Sequence, residues 1–126
     1  EQTFFAGRLA PEQIPAVLAL ATVSTDPVRD DPVAAARSPL KVIESLAVGT
    51  PVVTGDVGDR RGMLREGELG VLVPPGDASG LAAGLVSILK DAALRERLAA
   101  AARAGRENWY WDTLIHDFAR IYALAS

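Results

Sequence analysis

An α/β fold, with a parallel sheet covered by helices on both faces, is what this sequence predicts. Three observations carry the prediction. Short strand-like runs alternate with stretches of helical spacing along the chain. Val52-Val53-Thr54 is β-branched throughout and reads as a buried strand. Gly and Pro punctuate the boundaries, as in Gly49-Thr50-Pro51 and Pro74-Pro75-Gly76. At 126 residues the chain makes one domain, and a chain of this size buries roughly two-thirds of its unfolded surface.

In order, Thr3 to Ala6 is expected to be a short strand ending at Gly7. Ile14, Val17, Leu18 and Ala21 give residues 12–21 a helical spacing, with Pro11 at the entry. Thr22 to Thr25 reads as a second strand, and residues 26–37 as an acidic, proline-containing loop. Ser38 is a natural N-cap for the next helix, with Pro39 at its first position and Gly49 at its end. Leu40, Val42, Ile43, Leu46, Ala47 and Val48 make that helix apolar nearly all round, which predicts burial. Pro51 to Thr54 is the next strand, and residues 56–62 form a polar turn. A short helix is expected near Met63, then a fourth strand over Gly70 to Val73. Asp77 or Ser79 caps a helix with Leu81, Leu85, Ile88 and Leu89 on one face. Two more helices follow over residues 92–107 and 111–125. The last carries Trp111, Leu114, Ile115, Phe118, Ile121 and Tyr122 at helical spacing.

Composition excludes several functions. Net charge is -3 and the sequence pI is about 5.1, so no basic footprint for nucleic acid is present. There is no Cys, hence no disulfide framework and no thiolate metal site. No apolar run reaches the ~20 residues of a membrane span. Neither a G-x-G-x-x-G nor a P-loop pattern occurs. The single His, His116, and the adjacent acids Asp30-Asp31 read as solvated residues. Trp109 and Trp111 read as packing aromatics rather than a sugar-stacking pair. Arg60-Arg61 reads either as a phosphate-reaching pair on a strand-end loop or as a solvated turn.

Two charges interrupt the apolar helix, Lys41 and Glu44. Three residues apart, they suit a surface pair. Yet Lys41 lies in the first turn, where the helix dipole favours an anion. A cation beside free amides there suits a negatively charged ligand.

The run PLKVIESLAVGTPVVTGDVG resembles the nucleotide-sugar-binding segment of GT-B-fold glycosyltransferases of group 1 (family four), usually E-G-F-G-x-x-x-x-E-A-x-A-x-G-x-P-V-V. Downstream, EGELGVLVPPGD is similar as well, and upstream so is FAGRL, followed by Gln13-Ile14-Pro15 and Leu18-Ala19. These segments stand in the family's order along nearly the whole chain. The resemblance implies a Rossmann-like parallel sheet, the C-terminal lobe of a GT-B fold, with residues 1–126 forming only part of it. The chain opens almost inside a strand pattern, so a preceding segment is expected.

By the resemblance, Glu44 matches the glutamate that hydrogen-bonds the donor's ribose hydroxyls. The amides of Leu40 and Lys41 match the helix start that holds the diphosphate, and Ser38 and Pro39 stand in the glycine-rich part. Arg8 and Leu9 match the loop that touches the base. Ala36 falls where the family's first glutamate contacts the donor sugar. A subset of the family carries S-P-L-K in place of the glycine-rich run, and this chain resembles it. The implied function is hexosyl transfer from a UDP- or GDP-sugar to an acceptor, with no metal and no cofactor beyond that donor. The implied partner is an N-terminal lobe of the same protein, without which this chain is expected to be inactive. The wide apolar face of the last helix is then expected to drive self-association, or high mobility over residues 109–126. The implied location is cytoplasmic, with the inner face of the membrane as a second candidate. The alternative is a stand-alone α/β binding or regulatory module.

Overall fold

The β-branched run at residues 52–54 lies in the middle strand of a three-stranded parallel sheet. The structure, a computed structural model, describes residues 3–124. Strand β1 is Ser24–Asp26, β2 is Val52–Gly55 and β3 is Gly70–Val73, in that spatial order. Asp26 stands beside Thr54, and Thr54 beside Leu72. All of β2 is buried, which explains its unbroken β-branched composition.

The helices are α1 (Ile14–Leu20), α2 (Pro32–Ala36), α3 (Leu40–Ala47), α4 (Arg60–Met63), α5 (Ala78–Lys90), α6 (Ala92–Gly105) and α7 (Trp111–Leu124). Neighbouring strand residues serve opposite faces. Val52 packs with Val42 and Leu46 of α3, and with Met63, Leu64 and Leu69. Val53 and Val73 pack with Ile88 of α5 and Leu98 of α6. Gly84 lets α5 close onto the sheet, since a Cβ there would stand 2.8 Å from a Val53 methyl. Asp77 caps α5 by accepting from the Gly80 amide at 2.9 Å, and Asp91 caps α6 through the Leu94 amide. The alanine run of α6 buries Ala99 and Ala102, small enough for α6 to lie close to both α3 and α5.

Four expectations are corrected. Thr3 to Ala6 forms no strand; Phe4 and Phe5 are exposed. Strand β1 is an edge of the sheet, and nothing on its open side pairs with residues 3–6, so their backbone gains no ladder. The acidic loop contains α2, which starts at Pro32 because Asp31 accepts from the Ala34 amide at 2.8 Å. Helix α3 is amphipathic rather than buried all round. Val42, Ser45 and Leu46 face inward, whereas Leu40, Lys41 and Glu44 are exposed. The short helix expected at Met63 begins earlier, at Arg60, and is followed by a 3-10 turn over Arg65–Gly67.

Helix α7 has no buried residue. Trp111, Ile115, Phe118, Ile121 and Tyr122 are all exposed, with the Trp111 and Phe118 rings 5.6 Å apart. Trp109, just before it, packs against the core. The end of the expected last helix, Ala125, lies outside the described residues. Among the described residues no helix is long and apolar enough to cross a membrane.

Candidate functional site

Parallel sheets bind ligands beyond the carboxyl ends of their strands, and β1 ends there on Asp26. Its side chain is only 2% exposed. A buried carboxylate needs partners, and it has two cations. Lys41 Nζ lies 2.7 Å from Oδ1, and Arg60 Nε donates to Oδ2 at 2.8 Å. The Thr54 hydroxyl donates to the Asp26 carbonyl at 3.0 Å. Burial pushes the Asp26 carboxyl up, but the hydrogen bonds and positive charge of Lys41 and Arg60 outweigh it. The net effect holds the group below the usual carboxylate range.

Arg60 is neither a phosphate-reaching residue nor part of a solvated turn. It is wholly buried, and its Nη1 donates to the carbonyls of Ala34 at 3.1 Å and Val57 at 3.2 Å. Its Nη2 has no hydrogen-bond partner among the described residues. The turn before it explains the placement. Gly58 has φ of 61°, and a Cβ there would stand 2.5 Å from the Ala35 carbonyl oxygen. The turn therefore presses onto α2, and α4 starts inside the molecule. Arg61 stays exposed and pairs with Asp56 and Glu66.

Helix α3 begins one residue later than its sequence suggests. Pro39, buried and extended at φ -77° and ψ 105°, occupies the N-cap position, and no side chain caps the helix. The Pro39 carbonyl accepts from the Val42 amide at 3.0 Å. Ser38 is exposed and not a cap. The helix is anchored behind its first turn. Ser45 Oγ donates to the Lys41 carbonyl at 2.7 Å and reaches Ser24 Oγ of β1 at 3.0 Å. Thr50 Oγ1 donates to the Leu18 carbonyl at 2.8 Å, tying in α1. Gly49 ends the helix in the left-handed region, as its sequence predicts.

The expected Lys41–Glu44 pair does not form. Lys41 turns to Asp26, and among the described residues Glu44 carries no ion pair and no side-chain hydrogen bond. A cation at the positive end of a helix is disfavoured by about 0.3–1 kcal/mol; a buried carboxylate beneath it offsets that. The structure therefore brings together Pro39, the Leu40 and Lys41 amides and Glu44 one turn further on. Arg8 is exposed and Leu9 half-buried, in a stretch without regular structure. No hydrogen bond or ion pair among the described residues joins them to α3. Ala36 is exposed at the end of α2, and His116 is exposed on α7. A separate cleft of about 250 Å³ opens between the β1, β2 and β3 ends and α5, lined by Val28, Gly55, Pro74 and Leu81 among others. None of Ser38 to Glu44 lines it. No group of three or more His, Cys, Asp or Glu among the described residues is placed to hold a metal ion.

Residues 1–105 match the family model of glycosyl transferases group 1. The chain belongs to that family. It is 41% identical over 81 residues to a phosphatidyl-myo-inositol mannosyltransferase of Mycobacterium leprae, covering 64% of this chain and 22% of that protein. It is 33% identical over 124 residues to a glycogen synthase of Mycobacterium tuberculosis, covering 98% of this chain and 29% of that protein. Sucrose-phosphate synthase from Thermosynechococcus elongatus superposes with a TM-score of 0.82 at 28% identity, over 97% of this chain and 30% of that one. The three-stranded sheet and its helices are thus a Rossmann-like part of a GT-B glycosyltransferase fold, and the chain spans under a third of each of these relatives.

Asp26 was missed in the sequence, and Arg60 was singled out there for a different role. The signal for Asp26 was its position directly after a strand pattern. Nothing local in Arg60-Arg61 says which of the two turns inward; the close approach of the Gly58 turn to α2 decides it.

Proposed function

We propose that this domain holds the nucleoside diphosphate of a sugar donor at the start of α3, for transfer of a hexosyl group to an acceptor. The donor is UDP- or GDP-linked. The Leu40 and Lys41 amides hold the diphosphate, Ser38 and Pro39 shape the approach, Glu44 takes the ribose hydroxyls, and Arg8 and Leu9 meet the base. The observation that supports this best is Glu44. It is an exposed carboxylate without an ion pair among the described residues, one turn from an uncapped helix start, although Lys41 is three residues away. A carboxylate accepts from two vicinal hydroxyls at once. No resident cofactor enters the reading; the donor is the substrate.

The acceptor site and part of the catalytic machinery belong, in this reading, to an N-terminal lobe of the kind that accounts for the greater length of the relatives. That lobe is also the expected cover for the apolar face of α7, and in its absence a second copy takes its place. The setting is cytoplasmic. Ala36, a methyl group where the family has a glutamate, favours a second reading, a module that kept the fold and lost the chemistry.

Transfer needs both substrates in register, which is worth about 7–11 kcal/mol. The chain alone should therefore bind UDP or GDP in calorimetric titration, yet give no product above buffer with UDP- or GDP-sugars and a panel of acceptors. Turnover at an ordinary enzymatic rate contradicts the need for a second lobe. No binding of either nucleotide at millimolar concentration favours the module.

A further inference from the structure

We infer that Asp26 is a positioning residue for the donor diphosphate, holding the Lys41 ammonium over the first turn of α3 while Arg60 fixes the carboxylate from below. The inference rests on the reading that the diphosphate binds at the start of α3.

The geometry forms a chain of restraint from interior to surface. Arg60 is 0% exposed and held by the carbonyls of Ala34 and Val57. Its Nε fixes one oxygen of Asp26, and Thr54 fixes the Asp26 carbonyl. The other carboxylate oxygen takes Lys41 Nζ at 2.7 Å, yet the Lys41 side chain remains 53% exposed. A free lysine side chain samples many rotamers and loses that freedom when it meets a ligand. Here the freedom is already restricted, at the start of α3, which no side chain caps among the described residues. The exposed ammonium keeps hydrogens for an incoming phosphate oxygen, because it has three donors. Stability alone does not require this arrangement. Arg60 already gives Asp26 a buried counter-ion, so the second, half-exposed cation is surplus to burial.

The test separates position from charge. Asp26→Asn alone leaves Arg60 buried without a counter-charge and risks unfolding. The pair Asp26→Asn with Arg60→Met removes one charge of each sign and leaves the cluster's net charge unchanged. Arg60→Met alone retains the Asp26–Lys41 pair. UDP, GDP and the corresponding nucleosides are titrated into each folded variant, with and without Lys41→Met. The double variant should bind the diphosphates about tenfold more weakly than both the charge-matched wild type and Arg60→Met, and the nucleosides equally well. In the Lys41→Met background that difference should shrink below about twofold. Equal loss in both backgrounds, or no loss at all, overturns the positioning role. If Lys41→Met itself leaves UDP and GDP affinity unchanged, the ammonium takes no part and the positioning role falls while the amide site stands; if wild type binds neither UDP nor GDP, the parent reading falls.

Discussion

One carboxylate, Asp26, joins β1, α3 and α4 through two cations. Its pKa lies below the ordinary value in the folded state. The unfolded chain therefore binds the proton first as pH falls. The stabilisation is fully present above the ordinary carboxylate pKa, and it is lost as pH drops through the lower, folded value. Melting temperature should decline below about pH 4, and Asp26→Asn with Arg60→Met should decline less steeply over that range. An unchanged slope contradicts the assignment. At this scale the sequence was legible where the chemistry is local. Gly49 ends α3, Asp77 caps α5, and Glu44 faces out. Arg60 was not legible, because its burial depends on where the Gly58 turn throws α4. The same holds for Lys41, whose partner is distant in sequence and close only across the end of the sheet.

At the scale of elements, alternation of apolar and turn residues sufficed for β2, β3, α5 and α6. Residues 3–6 have the composition of a strand and lack a neighbour to pair with, so composition misled. Ser38-Pro39 misled by one residue, because a buried, extended Pro39 serves as the entry to α3. The sheet also constrains its glycines. A Cβ at Gly70 would collide with the Val52 carbonyl oxygen of β2 and approach Leu64. The carbonyl belongs to the ladder and has no room to retreat. Gly70→Ala should cost about 1–3 kcal/mol, lowering the melting temperature by several degrees in differential scanning calorimetry. A neutral or stabilising effect means β2 and β3 lie further apart than described.

At the scale of the whole molecule, the unclosed features are the apolar side of α7 and the outer edges of β1 and β3. A helix with Trp111, Ile115, Phe118, Ile121 and Tyr122 in water makes an apolar patch of the kind that promotes association. Sedimentation velocity should show concentration-dependent association of this chain, and Ile115→Glu with Phe118→Glu should abolish it. A monomer at all concentrations rejects the second copy as its occupant. The family and fold were legible at this scale because ordered motifs run along nearly the whole chain.

The central claim, that Glu44 reads a donor ribose, is tested most directly by calorimetric titration of wild type and Glu44→Ala with UDP, GDP and their 2′-deoxy and 3′-deoxy analogues. Hydrogen bonds to charged groups are worth about 1.5–3 kcal/mol. Wild type should therefore prefer the ribonucleotides by roughly 10- to 150-fold. Glu44→Ala should bind all of them about equally, with little change in melting temperature because the side chain is exposed and makes no hydrogen bond or ion pair among the described residues. A ribose preference that survives in Glu44→Ala contradicts the account.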